Sequence, residues 1–344
     1  MNFSSDTAAP AHPAVLEALA RVNHGPAPSY GDDRVMKQLR SLLVRTFETD
    51  ELDFWITASG TASNALALSC FCPPTHSVIC HAQAHIQVDE RGAVEFFTGG
   101  GRLHLLPGKG AKVDYGQLAD YLEAFDPRFV HETPPAVLSL TNLTECGMAY
   151  QPDEIAMRAE RAKHFGLAVH LDGARLANAL VFTGASPAEM SWKAGVDVLT
   201  LGLTKTGAVG CEIILFFGKA KEKGRELRAR AKRAGHMPPK MRYLAAQAQA
   251  LLDGGLWLAL AAHANEKAQK LAAAFIADGH RLAWPVEGNE VFVHIDEHTL
   301  EKLREDGAAF YEWPTGSNRF VCSWATADAE IAALSESMTR SMRK

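Results

Sequence analysis

Strand-like and helix-like segments alternate along this chain, and no other feature restricts its possible folds as much. The stretch "LDFWITAS" predicts a strand that ends at Gly60, and "TASNALALSCF" continues as a helix. Further apolar strands follow at "SVIC", "PAVLSLT", "GLAVHLDGAR", "VDVLTLGLTK" and "CEIILFFG". Strands that alternate with helices are typical of α/β proteins with a mainly parallel sheet. We therefore predict that fold class.

The length of the chain and its last third predict two domains. At roughly 100–200 residues per domain, 344 residues are enough for one large and one smaller unit. A long helix rich in Ala and Leu covers roughly residues 257–278, and the strands "EVFVHI" and "NRFVCSW" follow it. We predict a large domain over residues 1–256, with an N-terminal arm at 1–12, and a small α+β domain over 257–344.

The charge and cysteine content exclude several function classes. The net charge is −5, so no basic field is available to bind nucleic acid or an anionic membrane. The start, "MNFSSDTAAPAHP", has neither the basic nor the apolar region of a signal peptide, and the apolar runs are too interrupted to span a membrane. The six cysteines form no C-x-x-C pair. Packed, reduced thiols in a cytoplasmic protein without a metal site are expected.

Residues suited to chemistry follow directly on several predicted strands. They are Ser59-Gly60-Thr61, His85, Thr144-Glu145, Asp172 with Arg175, and Lys205. Ligands of open parallel sheets bind beyond the carboxyl ends of the strands, so these residues are expected to lie together. Lys205, in "LTLGLTKTGAVG", has no acidic residue within six positions on either side. A lysine among apolar neighbours is a candidate nucleophile for a carbonyl group.

This set of residues matches the requirements of one cofactor, pyridoxal phosphate. The turn at 59–61 offers backbone N–H groups and hydroxyls for a phosphate, and Lys205 offers an amine for the aldehyde. Asp172 offers a carboxylate for the pyridine nitrogen, and His85 offers a ring that can stack on the cofactor. Each residue also has a plainer interpretation: Asp172 as a helix cap, His85 as a core histidine, and Lys205 as the point where a strand reaches the surface.

At the level of whole motifs, the chain resembles the low-specificity L-threonine aldolases, which are fold-type I pyridoxal-phosphate enzymes. The resemblance lies in "SSDT", "YGDD", "SGTASNALAL", "AHIQVDERGAVEFF", "TECG", "HLDGARLANA", "SWKAGVDVLTLGLTKTGAVG", "KMRYLAAQ" and "RFVCSW". It implies a mainly parallel, seven-stranded sheet flanked by helices, with a smaller C-terminal α+β domain. It also implies a homodimer or homotetramer whose active sites lie at the subunit interface.

The resemblance assigns roles to individual residues of the cofactor site. Lys205 would bind the aldehyde covalently, and Asp172 would pair with the pyridine nitrogen. His85 would stack on the ring. The phosphate and the rest of the cofactor would be held by Ser59, Gly60, Thr61, Arg175 and, from a neighbouring subunit, Arg242.

The substrate implied by the resemblance is L-threonine, L-allo-threonine or a related β-hydroxy-α-amino acid, cleaved to glycine and an aldehyde. Its carboxylate would be held by Ser5, Arg175 and Arg319, and Tyr30 would line the site near the interface. Some members of the family carry a histidine where this chain has Thr144 or Glu145 in "NLTECG". The base for the β-hydroxyl is therefore open between His85, Glu145 and a bound water.

Six other functions are considered at the level of sequence. A β-eliminating lyase, a racemase or a decarboxylase could use the same Lys205 and Asp172. His81 and His85 are spaced for a metal hydrolase, but no glutamate follows the first histidine. The glycines of "GGGR", residues 99–102, suggest a dinucleotide site but precede a strand-like stretch. A non-catalytic binding protein would have no need for both Lys205 and Asp172.

Overall fold

A central β-sheet organises most of the computed structural model, which describes residues 1–314 and 316–341. Within those ranges the sheet has seven strands: β1 (Leu52–Thr57), β2 (Ser77–His81), β3 (Arg102–Leu106), β4 (Pro135–Thr141), β5 (Ala168–Gly173), β6 (Val198–Gly202) and β7 (Glu212–Phe217). Their order is β1-β7-β6-β5-β4-β2-β3. All neighbours from β6 to β3 pair in parallel, and β7 runs antiparallel to β1 and β6. The predicted mainly parallel sheet is confirmed.

Helices flank this sheet and continue into the C-terminal part of the chain. Over the described residues they are α1 (Pro13–Val22), α2 (Arg34–Thr46), α3 (Gly60–Ser69), α4 (His85–Val88), α5 (Ala93–Thr98), α6 (Tyr115–Ala124), α7 (Pro152–His164), α8 (Leu176–Thr183), α9 (Gly224–Arg233), α10 (Arg242–Leu252), α11 (Leu256–Ala277), α12 (Glu297–Glu305) and α13 (Asp328–Ser341). Short 3-10 turns lie at Asp6–Ala8, Lys109–Ala111, Trp192–Ala194, Thr204–Thr206, Gly218–Lys223 and Asp253–Gly255. The helix after β1 is buried from Ser63 to Ser69, because its sequence is small and apolar on every side.

The three middle strands end side by side, which brings the loops that follow them together. Thr141 of β4 pairs with Asp172 of β5, and Asp172 pairs with Thr200 of β6. Gly202 lets β6 pass close to the turn after β5, since an added Cβ would lie 2.6 Å from the carbonyl oxygen of Ala174. The segments that carry Asp172 and Lys205 are therefore packed against each other.

A second, smaller sheet lies in the C-terminal part of the described chain. It contains β8 (Arg281–Leu282), β9 (Glu290–His294), β10 (Tyr311–Trp313) and β11 (Ser317–Val321), all antiparallel, in the order β10-β11-β9-β8. Phe3 joins this unit: its N–H donates to the Ala309 carbonyl, and its carbonyl accepts from the Val321 N–H, both at 2.8 Å. Phe3 is buried with Phe275 and Phe320 in a separate apolar core.

The division into a large and a small domain near residue 256 stays a prediction. The 22-residue helix α11 begins at Leu256 and contributes buried side chains to both apolar cores, Trp257 and Ala261 to the larger and Phe275 to the smaller. No helix of the described residues has both the length and the hydropathy that a bilayer-spanning segment needs.

Candidate active site

An open cleft lies at the carboxyl ends of the parallel strands. Its volume of about 270 Å³ lies near the lower end of the range of small-molecule sites. The residues that line it are Thr7, Ala58, Ser59, Gly60, Thr61, Asn64, His85, Glu90, Thr141, Leu143, Glu145, Asp172, Ala174, Arg175, Thr204, Lys205 and Glu212. They include Ser59, Gly60, Thr61, His85, Glu145, Asp172, Arg175 and Lys205 from the predicted set. The residues predicted to lie together at the strand ends therefore line one cleft, except Thr144, whose hydroxyl donates to the Gly110 carbonyl at 2.7 Å.

One end of the cleft is formed by the N-terminus of α3. Ser59 is the N-cap residue of this helix, but its side chain makes no capping hydrogen bond. A Cβ added at Gly60 would meet no atom within 4 Å, so the helix start faces open space. The first N–H groups of a helix have no intrahelical acceptor and carry partial positive charge. With the hydroxyl of Thr61, this end of the cleft is suited to an anionic group such as a phosphate.

Asp172 is buried at the end of β5 and is held by two hydrogen bonds. Its Oδ1 accepts from the Ala174 N–H at 2.9 Å, and its Oδ2 accepts from Asn64 Nδ2 at 2.8 Å. Asn64 also donates to Glu90 Oε1 at 2.9 Å and accepts from the Thr200 hydroxyl at 2.7 Å. Asp172 does not cap α8, whose N-cap is Arg175. The helix-cap interpretation of Asp172 is therefore wrong, and its carboxylate faces the cleft from a fixed position.

His85 begins the short helix α4 and lies between two acidic side chains. Its Nδ1 is 2.8 Å from Glu90 Oε1, and its backbone N–H donates to Glu145 Oε1 at 2.8 Å. The hydrogen bond with Glu90 is the largest of the influences that raise the pKa of His85, although burial opposes it. Burial in turn raises the pKa of Glu90. We call Asn64, His85, Glu90, Asp172 and Thr200 the Asn64 network.

The carboxyl group of Glu145 is the most perturbed acid of the cleft on the side of His85. Burial raises its pKa to about 7, and the negative charge of Asp172 acts in the same direction. The hydrogen bond from the backbone of His85 opposes this rise only in part. Glu145 is thus an acid–base group that titrates near neutral pH.

Lys205 lies in the 3-10 turn after β6 and is partly exposed to the cleft. Within the part of the chain that the structure describes, its ammonium group has no hydrogen bond or ion pair, as expected from the absence of nearby acids in the sequence. Glu212, at the start of β7, also lines the cleft and was not among the predicted site residues. Burial raises the pKa of Glu212 to about 7, against hydrogen bonds from Thr204 and the charge of Lys205.

The arginines predicted to bind a substrate carboxylate already face carboxylates of the chain. Arg175 donates to both oxygens of Asp6, at 2.7 and 3.1 Å, and its Nη1 lies 3.5 Å from Glu290 Oε1. Arg319 Nη1 lies 3.8 Å from the same Glu290 oxygen. Arg319 does not line the cleft of the described residues, but shares Glu290 with Arg175, which does. We call Asp6, Arg175, Glu290 and Arg319 the arginine cluster.

The charges of neighbouring side chains determine which groups of the arginine cluster are ionised. Burial alone would raise the pKa of Asp6, but the charges of Arg175 and Lys205, with hydrogen bonds from Arg175 and Asn289, lower it to about 2. The pKa of Arg175 is raised by Asp6 and Glu290 despite its burial. The carboxylate and guanidinium therefore stay ionised at every physiological pH.

Three other predicted residues lie outside the lining of the cleft. Ser5 shares a hydrogen bond of 2.8 Å with the Thr7 hydroxyl. Tyr30 is exposed, with a positive φ of 61°, and the Lys232 ammonium lies 4.3 Å from the centre of its ring. Arg242 donates to the carbonyl of Gly25 at 3.1 Å. Within one chain these residues do not complete the site, and their roles stay predictions.

Asn64, Glu90, Glu212, Asp6 and Glu290 were missed at the level of sequence. A signal for Asn64 was available, because it follows Gly60 by about one helical turn in an otherwise apolar helix. Glu212 likewise puts a charge at the start of the apolar strand "EIILFF". The other three become recognisable only when distant segments meet.

Two alternative sites lose their structural basis. His81 uses both ring nitrogens on backbone groups, Nε2 with the Gly108 carbonyl at 3.1 Å and Nδ1 with the Gln83 N–H at 3.0 Å. Its ring therefore has no nitrogen left to share a metal with His85. The glycines at 99–101 lead into β3 and not into a helix, as expected, so the dinucleotide fingerprint lacks its context.

Comparisons with known proteins agree with this geometry. The model of the beta-eliminating lyase family matches residues 2–298. The low specificity L-threonine aldolase of Pseudomonas sp. (strain NCIMB 10558) is 40% identical over 335 residues, 96% of this chain and 95% of that protein. The enzyme of the same name from Pseudomonas aeruginosa is 41% identical over 327 residues, 94% of this chain and 93% of that protein.

Solved structures show the same fold. The threonine aldolase of Leishmania major superposes with a TM-score of 0.91 at 27% identity, covering 98% of both chains. A structure of serine palmitoyltransferase, described as SPT with a PLP internal aldimine, superposes with a TM-score of 0.72 at 15% identity, which bears on the fold alone. By its match to the family model and its identity with curated relatives, the chain belongs to the beta-eliminating lyase family and, within it, to the low-specificity L-threonine aldolases.

Proposed function

We propose that the protein is a pyridoxal-phosphate-dependent lyase that cleaves L-threonine, L-allo-threonine and related β-hydroxy-α-amino acids to glycine and an aldehyde. The observation that carries this proposal is the shared cleft of Lys205 and Asp172 with the open N-terminus of α3. Such a cleft offers an amine, a carboxylate and an anion site on three neighbouring segments. The family relationship supplies the reaction.

The residues present fit pyridoxal phosphate. Its phosphate would be held by Ser59, Gly60 and Thr61 at the start of α3, where no side chain caps the helix. Its pyridine nitrogen would pair with Asp172, whose remaining hydrogen bonds fix the carboxylate. Its aldehyde would react with Lys205, and the ring of His85 would stack on it. Arg175 would contact both the cofactor and the substrate.

When bound, the cofactor supplies an aldehyde that condenses with amines and a protonated ring that withdraws electrons from Cα. The chain contributes position and charge. The carboxylate of Asp172 would keep a proton on the pyridine nitrogen, because a negative charge next to the ring favours its protonated form. Lys205 would hold the cofactor through its side-chain amine.

The orientation of the substrate decides which bond at Cα is broken. Arg175 and Arg319, with Ser5, would hold the carboxylate, and a guanidinium does so with two parallel hydrogen bonds. A carboxylate held in one direction leaves the Cα–Cβ bond in the position to break. The same lysine and aspartate could serve β-elimination or racemisation, so orientation separates the aldolase from these alternatives.

Product analysis distinguishes these reactions. With L-threonine, the aldolase forms glycine and acetaldehyde in equal amounts, whereas β-elimination forms ammonia and a keto acid. A racemase inverts Cα alone and so converts L-threonine to D-allo-threonine without loss of carbon. Detection of ammonia and keto acid as the main products would contradict the proposal.

The Lys205→Ala variant tests the chemistry directly. Borohydride should fix the cofactor on Lys205 of the wild-type protein, and mass mapping should find it on that peptide. The variant is expected to lose covalent attachment and to fall in turnover by on the order of 10⁴–10⁶-fold, as for other covalent nucleophiles. Lys163→Ala, which removes a half-exposed lysine paired with Asp197, is the control and should keep both properties. Normal cleavage by Lys205→Ala would overturn the proposal.

An oligomer with sites at its interface accompanies this function. Arg242 and Tyr30 lie outside the lining of the cleft within one chain, which supports the prediction that a neighbouring subunit supplies Arg242 to the phosphate. A homodimer or homotetramer is therefore proposed, testable by sedimentation.

A cytoplasmic location is also proposed, and the free, buried state of all six cysteines supports it.

A further inference from the structure

We propose that the carboxylate of Glu145 removes the β-hydroxyl proton of the substrate when the Cα–Cβ bond breaks. This role deepens the proposed function and rests on it. The alternatives for this step are the imidazole of His85 and a bound water. The geometry of the two side chains separates their tasks.

Glu145 has one oxygen engaged and one available. Its Oε1 accepts the backbone N–H of His85 at 2.8 Å, which fixes the carboxyl group against the start of α4. Its Oε2 is buried and has no hydrogen-bond partner of regular geometry among the described residues, although the side chain of Thr141 lies close enough to lower the pKa of the group. An unsatisfied buried carboxyl oxygen is costly, so its presence in a cleft indicates that a ligand supplies the missing hydrogen bond. A substrate hydroxyl is such a donor.

The strength of Glu145 as a base suits this step. Burial raises its pKa to about 7, so a large fraction is ionised at neutral pH and can accept a proton. General bases are most effective when their pKa lies near the working pH. The titratable and charged groups around it are His85 on α4, Cys80 on β2, Asp172 on β5, Arg175 after β5, and Cys146 and Tyr150 in its own loop.

These neighbours do not replace Glu145. Burial raises the pKa of both cysteines to about 12, and it also raises the pKa of the tyrosine, so all three stay protonated at neutral pH. Asp172 is committed to two hydrogen bonds, and Arg175 is a permanent cation. His85 remains as the competitor, and its Nδ1 is committed to Glu90.

His85 has a different task in this arrangement. Its hydrogen bond with Glu90 occupies Nδ1, orients the ring and raises its pKa, although burial opposes the rise. Its ring is also the one expected to stack on the cofactor. His85 therefore positions the groups around it, while Glu145 takes up the proton.

The step balances in atoms and electrons. The O–H bond of the β-hydroxyl breaks, its proton passes to Glu145, and its electron pair completes the C=O bond of the aldehyde. The Cα–Cβ electron pair stays with Cα, which takes up a proton and becomes the α-carbon of glycine. Glu145 then releases its proton to solvent, and no oxidant or reductant is required.

The experiment compares a reaction that needs this base with one that does not. Cleavage of L-threonine requires removal of a hydroxyl proton, whereas exchange of the α-hydrogen of glycine with deuterated water does not. Glu145→Gln keeps the size of the side chain and an oxygen for the His85 N–H. The variant should lose about 10²–10³-fold in kcat/KM for cleavage, the usual contribution of a general base, and keep glycine exchange within about twofold.

Glu212→Gln is the matched control, because it neutralises another buried carboxyl with a pKa raised to about 7 in the same cleft. Its neighbour is Lys205, so it should change cleavage and glycine exchange by similar factors. In the wild type, cleavage should decline as the pH falls through about 7, because Glu145 becomes protonated. In Glu145→Gln, the ratio of the cleavage rate to the rate of glycine exchange should not decline as the pH falls through about 7.

A measurement without substrate or cofactor completes the test. Infrared difference spectra of the wild-type apoprotein should show a carboxyl group titrating near pH 7 that Glu145→Gln lacks and Glu212→Gln retains. Equal loss of both reactions in Glu145→Gln, or loss of neither, would overturn the role of Glu145. Failure of the wild type to exchange glycine or to cleave threonine would instead overturn the proposed function.

Discussion

The Asn64 network and the arginine cluster both hold buried carboxylates, but they stabilise them in different ways. In the arginine cluster, Asp6 and Glu290 face the guanidinium groups of Arg175 and Arg319, so two negative charges meet two positive ones. In the Asn64 network, the hydrogen bonds that Asp172 accepts from described residues come from two neutral donors, the Asn64 amide and a backbone N–H. Burial raises the pKa of three acids around Asp172, namely Glu90, Glu145 and Glu212, and the negative charge of Asp172 adds to each rise.

This difference between the two regions indicates how much each contributes to folding and how much to ligand binding. A buried carboxylate that faces a cation contributes to stability, because its charge is compensated within the chain. A buried carboxylate among other acids is an unfavourable arrangement for folding alone and is expected where a ligand brings the compensating charge. The charges of the arginine cluster are therefore compensated within the chain, in addition to the substrate contacts proposed for its arginines, and the Asn64 network is prepared for a cationic group such as a protonated pyridine ring.

Among the variants that compare these two regions, Asp172→Asn is expected to have the largest effect, on turnover. Removing one partner of a buried charge pair costs about 3–5 kcal/mol, so turnover and cofactor affinity should together fall by roughly 10²–10⁴-fold. The same variant relieves the repulsion with Glu90, Glu145 and Glu212, so the apoprotein should unfold at an equal or higher denaturant concentration. Absorbance titration with the cofactor and urea denaturation measure the two effects. If Asp172→Asn destabilised the apoprotein and left turnover normal, Asp172 would contribute to folding and not to function, the opposite of the expected result.

Asp6→Asn should show the opposite pattern, with a smaller effect. The pKa of Asp6 is lowered from 3.8 to about 2, which corresponds to about 2 kcal/mol of stability at neutral pH. Because the folded-state pKa is the lower one, this stability is present above pH 3.8 and is lost as the pH falls toward 2. The variant should thus be less stable at pH 7, and its difference from the wild type should shrink in acid.

Denaturation at several pH values checks this expectation, with cofactor affinity as the second readout. Asp306→Asn is a suitable control, because the carboxyl of Asp306 also has a lowered pKa but lies at the surface, where solvent screens its partners. It should cost much less stability. If Asp6→Asn left the stability at pH 7 unchanged and abolished cofactor binding, Asp6 would belong with the Asn64 network.

The sequence predicts the Asn64 network better than the arginine cluster, for a physical reason. Asp172 and Lys205 end strands of one parallel sheet, and parallel strands with crossover helices present their carboxyl ends at one edge. The positions of His85 and Glu145 follow from the same rule. Asn64 could be anticipated from its place in an apolar helix, although its partners could not.

The arginine cluster joins segments that no local pattern relates. Asp6 comes from the first 3-10 turn, Arg175 from the turn after β5, and Glu290 and Arg319 from the second sheet. The role proposed for both arginines rests on the family resemblance, which does not indicate that either arginine contacts an acidic residue of the chain. That both guanidinium groups already face carboxylates follows only from the packing of the two sheets.

The smallest expected effect tests whether the arginine cluster also binds substrate. Arg319→Lys keeps the positive charge near Glu290 but loses the planar fork that can hold a carboxylate through two hydrogen bonds. If Arg319 binds the substrate carboxylate, KM for L-threonine should rise about tenfold, near the energy of one charge-assisted hydrogen bond, with kcat changed much less. Arg304→Lys on α12, which alters a half-exposed arginine, should leave KM unchanged. If Arg319→Lys had a normal KM and reduced stability, Arg319 would balance the charge of Glu290 and would not bind the substrate. The arginine cluster would then serve stability, and the Asn64 network would serve ligand binding.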